Sequence, residues 1–413
     1  QQELRLTSVG GETVDWLAGV FYYKNDFDRG DDGDRYIFLE DTLSAAPGPS
    51  LLLQQLFGTP VPVPFAAPGQ NGVFAASQDT EYVGVFGQAT WNITDKFSIT
   101  GGLRWQEEEK DASIDQSVTV PGLSLLSARL IVAANSGDVD RTTDEVTWSI
   151  TPQYFITDDL IVYATAAHGF KSGGFNVGWG TTPVDQREFD DEDIMHYEAG
   201  VKATLLDSRL QLALSAFYTE YDDYQDAAFI AQQFTVGNAE TVELKGFEAE
   251  GQLLISEEFS ADFGISYADL TYDEYTSGLC YPGRAPDNPD TGTCDLSGEN
   301  PINAPEWTTH LGLMYETDVS WGDVYARADW AWSDEYNTSF SADPRLVQDS
   351  YSWLNFRLGT RWNNYEVVAW VENALDEDVS NADSLLNLFG NDPSYQTFRQ
   401  PPRSYGLTFR ADF

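Results

Sequence analysis

The alternation of short turns with long connections restricts the fold of this chain more than any other feature. Asn, Asp, Gly and Ser build tight turns between pairs of strand-like runs, because these residues tolerate turn conformations and bond their own backbone. Seven such turns lie at 8–12, 92–96, 156–159, 206–209, 255–258, 317–322 and 363–364. Seven long polar or Pro/Gly-rich connections lie at 25–78, 108–142, 169–193, 226–240, 273–304, 335–349 and 375–402. Structureless loops of that length are uncommon in compact soluble domains, so the chain is predicted to form hairpins with one short side and one long side.

Within the runs, apolar and polar residues alternate with the period of two that places them on opposite faces of a strand. One face of the last run carries Tyr405, Leu407, Phe409, Ala411 and Phe413. Its other face carries Ser404, Gly406, Thr408, Arg410 and Asp412. The same alternation occurs in 97–105, 146–154 and 354–362. Large apolar side chains opposite Arg and Asp fit a strand with lipid on one face and a polar lumen on the other.

These patterns predict an all-β protein, an antiparallel transmembrane β-barrel meander of about fifteen strands. The strands are predicted at 2–8, 13–24, 79–92, 96–107, 143–155, 159–168, 193–206, 209–225, 241–254, 258–272, 305–317, 322–334, 350–362, 364–373 and 403–413. A soluble β-sandwich with one wet face explains the alternation equally well. It does not explain runs of about 10–14 residues, where strands usually have about 5–6, or the Trp and Tyr at strand ends, which are typical of membrane barrels. An incomplete barrel would be either open at two edges, which is unfavourable in lipid, or closed with fewer strands.

Charge and composition exclude several classes of function. The chain has 22 Lys and Arg against 67 Asp and Glu, a net charge of −45, so it repels nucleic-acid phosphates. No apolar run is long enough for a transmembrane helix, and 14% aromatic residues argue against a disordered acidic chain. His168, His196 and His310 are scattered, and no Gly-x-Ser-x-Gly motif occurs. We therefore expect neither an enzyme nor a bound cofactor.

Several motifs, taken together and in order, resemble the barrel of TonB-dependent receptors. The first is the run 160–176, which contains Tyr-Ala-Thr-Ala-Ala-His-Gly-Phe-Lys-Ser-Gly-Gly-Phe-Asn. Further motifs lie at 188–202, 217–224, 245–248, 303–307, 371–376 and 402–406. The last strand, which carries Tyr405, Leu407, Phe409 and the terminal Phe413, resembles the signal that the barrel-assembly machinery recognises. One departure is His168, which stands where the family usually has Arg.

The resemblance implies a 22-stranded barrel, a plug domain inside it and a segment that contacts TonB. Residues 1–413 would then be part of the barrel domain, with the plug and about seven strands outside this sequence. The implied function is energised uptake of a ferric siderophore or another large scarce nutrient across the outer membrane of a Gram-negative bacterium. The implied partners are outer-membrane lipid, TonB, the barrel-assembly machinery and the nutrient. Two alternatives stay open, a passive porin-like channel and a soluble carbohydrate-binding β-protein.

The two cysteines, Cys280 and Cys294, flank one polar loop. Outside the cytoplasm such a pair would be oxidised. Closing a loop of about 15 residues stabilises it by about 3 kcal/mol in the chain-entropy model. We therefore predict a disulfide between them.

Side chains in the long connections are the candidates for ligand contact, because aromatic and polar loop residues hold sugars or chelates without covalent chemistry. The candidates are Lys171, Asn176, Trp179, Tyr281, Phe389 and Tyr395. For the first two the alternative is that the glycine-rich motif shapes a strand end. Acidic loop residues are usually solvated, and weak candidates for a divalent cation, without EF-hand spacing, are Asp26, Asp28, Asp32 and Asp34, together with 190–193.

Overall fold

The computed structural model describes residues 1–11, 13–29, 35–37, 72–118, 135–178, 182–230, 233–385 and 395–412. The strands are β1 (Gln2–Thr7), β2 (Val14–Arg29), β3 (Arg35–Ile37), β4 (Gly72–Thr94), β5 (Phe97–Val118), β6 (Gly137–Thr157), β7 (Leu160–Lys171), β8 (Gly174–Phe175), β9 (Glu188–Phe189), β10 (Glu192–Leu205), β11 (Leu210–Ile230), β12 (Gln233–Leu254), β13 (Phe259–Glu274), β14 (Trp307–Val319), β15 (Gly322–Ser333), β16 (Tyr336–Asn337), β17 (Val347–Gln348), β18 (Tyr351–Trp362), β19 (Tyr365–Glu372), β20 (Ser380–Leu385), β21 (Tyr395–Arg399) and β22 (Ser404–Ala411). A 3-10 turn spans Val184–Gln186. These ranges contain no helix with the length and apolar character that crossing a membrane requires.

Fifteen of the strands form one antiparallel meander in which each strand pairs with its neighbours along the chain. Their order is β1-β2-β4-β5-β6-β7-β10-β11-β12-β13-β14-β15-β18-β19-β22, and β3 pairs with β4. The predicted meander and its seven short turns are therefore confirmed. Among the described strands β1 and β22 end the sheet without pairing with each other, so of the two forms expected for an incomplete barrel the described sheet has the open one.

The long-connection end differs from the prediction, because several strands run further than expected. The long loop predicted at 226–240 is wrong, since β11 continues to Ile230 and β12 begins at Gln233. Likewise β5 and β6 extend into the connection predicted at 108–142. Charged residues occupy both faces there, as in 107–111, so the period of two disappears although backbone pairing continues.

The two faces of the sheet have opposite polarity. One row across β15, β18, β19 and β22 consists of Ala326, Leu358, Ala369 and Leu407. The adjacent row, which faces the other way, consists of Arg327, Arg357, Trp370 and Gly406. Leu358 and Leu407 are 59% and 78% exposed. Contiguous exposed apolar surface marks a face that contacts protein or membrane. The predicted separation of Leu358 from Arg357, and of Phe409 from Arg410, is confirmed by this register.

Aromatic rings border the apolar face at two levels. Near the short turns a chain of contacting rings comprises Trp321, Trp362, Tyr365 and Phe409. Toward the long connections a second group comprises Phe247, Tyr267 and Trp307, with centroids 4.8–5.9 Å apart. Trp307 and Val319 bound the 13-residue β14 between these levels. Two aromatic girdles about 25 Å apart are typical of strands that cross an outer membrane.

The polar face holds its charges in ion pairs near the short turns, most of them between strands. Arg327 lies 3.1 Å from Asp262 and 2.6 Å from Asp329. Glu366 joins two arginines, at 3.2 Å from Arg361 and 2.8 Å from Arg410. Opposite charges that face each other across strands support the register of the sheet.

Candidate functional site

The connection between β7 and β10 folds back onto the polar face of the sheet. We call this segment the strap and define it as the described residues 172–178 and 182–191. Its two ends pair as the β8–β9 hairpin, in which Gly174 faces Phe189 and Phe175 faces Glu188. Phe175 is buried. The strap is therefore a folded element rather than an extended loop.

One edge of the strap is fixed to β6 by Arg141. The guanidinium lies 2.8 Å from the Asp191 carboxylate and donates to the Phe189 carbonyl at 2.7 Å. The Gly173 amide donates to the same carboxylate at 2.6 Å. A Cβ on Gly173 would overlap both the Arg141 guanidinium and the Phe189 carbonyl, so this contact requires glycine.

The same edge also contacts β4 and β5. Lys110 donates to the Ser172 hydroxyl and to the Gly173 carbonyl, each at 2.6 Å. Val184, in the 3-10 turn, packs in a buried cluster with Phe74 and Ile114. Charged and apolar contacts thus hold the strap to three neighbouring strands.

The other edge of the strap is bonded to β11 and β12. The Gln225 Nε2 lies 3.0–3.2 Å from the carbonyls of Lys171, Ser172 and Asp190. Asn176 and the backbone of Val236 exchange two hydrogen bonds of 2.8 Å. Satisfied bonds of this kind to buried backbone groups are costly to break.

A second folded connection, residues 275–306 between β13 and β14, is called the disulfide loop here. Its Leu296 is fully buried among Ala239 and Val242 of β12 and Tyr272 of β13. Cys280 and Cys294 are joined by a disulfide with their Cα atoms 5.1 Å apart. This is the pairing that the cysteine spacing predicts, and the loop is anchored by apolar packing as well as by the covalent bond.

A half-buried carboxyl group, that of Asp226, lies next to this cluster. The Tyr272 hydroxyl donates to Asp226 at 2.5 Å. Burial raises the pKa of Asp226, and the tyrosine hydrogen bond and Lys171 oppose that rise. Burial and the Asp226 charge also raise the pKa of Tyr272, and burial raises the pKa of Tyr224 to about 12. These side chains lie on the long-connection side of the aromatic group formed by Phe247, Tyr267 and Trp307, since Tyr272 follows Tyr267 along β13.

A cleft of about 690 Å³ opens between the disulfide loop and the connection from β15 to β18. Tyr281 lies in it, with the guanidinium groups of Arg284 and Arg345 at 5.9 and 5.7 Å from its ring. Arg345 is bonded to Asp343 and to the Pro282 carbonyl. Besides Tyr281 and Arg284, the cleft is lined by Glu299, Asn300, Glu306, Tyr336 and Asn337, among others. The volume is that of a small-molecule pocket, and the lining offers aromatic, amide and charged groups for non-covalent binding.

The sequence-based ligand candidates do not form one cluster. Lys171 and Asn176 belong to the strap region, where the Asn176 amide is engaged with Val236, whereas Tyr281 lies in the cleft. Trp179 and Phe389 lie outside the described residues, as does the side chain of Tyr395. Ligand contact at these positions stays a prediction. The sequence did not indicate Arg284 or Arg345, because an arginine in an acidic loop reads as an ordinary solvated charge.

No cluster of three or more His, Cys, Asp or Glu in the described part of the chain could hold a metal ion. Asp26 faces Asp79 across β2 and β4, near Asp28, while Asp32 and Asp34 lie outside the described residues. His168 lies on the face opposite that of His196, since the register pairs it with Met195. Its ring contacts the Val146 carbonyl and Asp193, so it has no role on the polar face.

Two of the family-like motifs meet at the last hairpin. Asn373 is fully buried with φ of 50°, and its amide nitrogen donates to the Glu377 carbonyl at 2.8 Å. Asp376, with φ of 62°, accepts from the Arg403 backbone at 3.1 Å. The motif at 371–376 therefore forms a turn at the end of β19 and binds the backbone of Arg403, directly before β22.

Comparisons with known proteins agree with this architecture. A family model described as "TonB dependent receptor-like, beta-barrel" matches residues 3–374. The pesticin receptor of Yersinia pestis is 28% identical over 302 residues, which is 72% of this chain and 39% of that protein. The metal-pseudopaline receptor CntO of Pseudomonas aeruginosa is 30% identical over 149 residues, 34% of this chain and 20% of that protein.

Among solved structures, the ferric yersiniabactin uptake receptor FyuA from Yersinia pestis aligns with a TM-score of 0.73 and 18% identity. The alignment covers 100% of this chain and 53% of FyuA. The siderophore receptor PiuA from Acinetobacter baumannii aligns with a TM-score of 0.68 and 19% identity, over 98% of this chain and 54% of PiuA. At these identities the likeness establishes the fold. The chain spans about half the length of these receptors and less of its curated relatives.

Proposed function

Because the chain belongs to the TonB-dependent receptors, a family of transporters rather than enzymes, we propose that it forms part of an outer-membrane receptor for energised uptake of a metal chelate such as a ferric siderophore. The observation that carries this proposal is the two-faced meander, with exposed apolar side chains on one face and charge pairs on the other. Such a sheet fits lipid on its apolar side and a watery passage on its polar side.

The remaining parts of the machine follow from the family. The rest of the receptor supplies a plug that fills the passage and a segment that contacts TonB. The barrel-assembly machinery inserts the protein through its last strand, where Tyr405, Leu407 and Phe409 face outward. The long connections face the cell exterior, and the cleft around Tyr281 captures the chelate.

The chelate class is supported by the names of the relatives. The similar proteins include receptors for ferric yersiniabactin, other siderophores and metal-pseudopaline. The named relatives are receptors of this family, which disfavours the passive porin-like alternative.

Uptake of radioactive iron from a panel of chelates tests the proposal in cells that express the full receptor. We expect accumulation of at least one chelate, and its loss when TonB is deleted. Accumulation that is unaffected by TonB deletion and extends to unrelated small solutes would instead identify a passive channel. Failure with every metal chelate, combined with uptake of another large nutrient, would overturn the ligand class.

A further inference from the structure

The strap crosses the polar face of the sheet rather than standing above it. On one side it contacts β4, β5 and β6 through Phe74, Lys110 and Arg141. On the other side it contacts β11 and β12 through Gln225 and Val236. It therefore bridges a run of seven neighbouring strands on the face that lines the passage.

We propose that the strap is a fixed inner wall of the passage, which narrows its mouth and directs the chelate to the side of the disulfide loop. This proposal rests on the proposed function, since it assumes a passage. Arg141 is the positioning residue of the wall, because its guanidinium joins β6 to Phe189 and Asp191 on one side of the strap hairpin, and the Asp191 carboxylate accepts from the Gly173 amide on the other side.

The burial of the anchoring groups argues that the wall is fixed. The Arg141 side chain is 10% exposed, and its Nε has no partner in the part of the chain that the structure describes. If the strap moved away, this buried cation would lose both of its carboxylate partners, Asp191 and Glu188, which is strongly unfavourable. Gln225, at 8% exposure, would likewise lose the carbonyls of both strap ends. Opening the strap would break all these contacts together.

The cleft is lined by connections that leave β13 and β15, which lie outside the run of strands that the strap bridges. The Tyr281 cleft is lined by the disulfide loop and the β15–β18 connection, neither of which supplies the strap contacts described above. A chelate bound near Tyr281 can therefore move inward without displacing the strap. The wall acts by limiting width, while the cleft acts by binding.

A designed disulfide tests whether the strap must move. An ideal Cβ on Gly137, the first residue of β6, lies 3.5 Å from the Val184 Cβ, within the range that disulfides span. The full receptor with Gly137→Cys and Val184→Cys should take up ferric iron, supplied as the chelate that the parent accepts, within about twofold of the parent. A loss of about tenfold or more that a reductant reverses would show a moving gate and overturn the proposal. The parent treated with the same reductant is the control, because reduction also opens Cys280–Cys294.

Hydrogen exchange tests the wall without any transport. The Gly173 and Asn176 amides are bonded to Asp191 and to the Arg187 carbonyl, so in the full receptor they should exchange as slowly as amides of β6. Arg141→Gln should speed exchange at Gly173 by about tenfold or more, while Arg104→Gln, on the same face of β5, should not. Fast exchange of these amides in the parent would overturn the fixed wall. Exchange decides the matter even if no chelate is transported, a failure that would count against the proposed function alone.

Discussion

The strap and the disulfide loop solve the same problem in different ways. Each must hold a long connection in place at the end of the sheet. The strap does so with buried polar bonds, chiefly from Arg141 and Gln225 to carboxylate and carbonyl oxygens. The disulfide loop does so with an apolar anchor, Leu296, and a covalent bond. The difference teaches that polar anchoring ties a loop to particular partners on two sides, whereas apolar and covalent anchoring keeps a loop compact on one side.

Removal of the disulfide should give the largest change and confine it to the disulfide loop. Cys280→Ser with Cys294→Ser removes a cross-link worth about 3 kcal/mol for a loop of this size. Proteolysis within 281–293 should become faster, whereas protection of the strap amides should be unchanged. Loss of strap protection as well would show that the two regions are one cooperative unit.

Gly173→Ala should damage the strap and spare the disulfide loop. Its Cβ has no room beside Arg141 and the Phe189 carbonyl, and forced overpacking costs about 1–3 kcal/mol. Hydrogen exchange of the strap measures the loss. Gly169→Ala is the matched control, since a Cβ there meets nothing within 4 Å. Equal behaviour of the two variants would refute the close packing.

Tyr281→Ala should lower affinity for the chelate by about twofold to tenfold, since an aromatic contact is worth about 0.5–1.5 kcal/mol. Titration of the purified receptor with the chelate that it transports measures this change. Tyr281→Phe keeps the ring between Arg284 and Arg345 and should bind nearly as well as the parent. Unchanged affinity in Tyr281→Ala would remove the cleft from the capture site.

Asp226 should give the disulfide-loop side a weak dependence of its stability on pH. Burial raises the pKa of this carboxyl, so the folded state holds the proton more tightly than the unfolded chain, whose pKa is about 4. The stabilising effect is full below that pKa and is lost as pH rises through the folded pKa. Protection factors at Leu296 should therefore rise on acidification, and Asp226→Asn should remove the dependence. A reversed slope would contradict the burial of Asp226.

The meander could be predicted from sequence alone, because the alternation of apolar and polar residues within each strand identifies its two faces. The alternation of Phe409 with Arg410 needs no knowledge of neighbouring strands. The alternation disappears toward the long connections, where charged residues occupy both faces. The extensions of β5, β6, β11 and β12 were therefore missed.

The site was less predictable, since its anchors come from distant parts of the chain. The glycine-rich motif around Gly173 and Gly174 indicated a shaped strand end, but nothing near it in sequence identified Arg141 or Gln225 as its contacts. The Cys280–Cys294 disulfide could be predicted because it joins two residues of one rare type. Backbone carbonyls, which receive most strap bonds, have no sequence signature at all.

The orientation of the sheet in the membrane is the central claim, and spin labels at two adjacent residues test it most directly. A label at Leu358 in the full receptor should collide with oxygen dissolved in lipid and be shielded from a water-soluble nickel chelate. A label at Arg357 should show the opposite preference. Equal accessibility of both labels to the aqueous reagent would contradict the account.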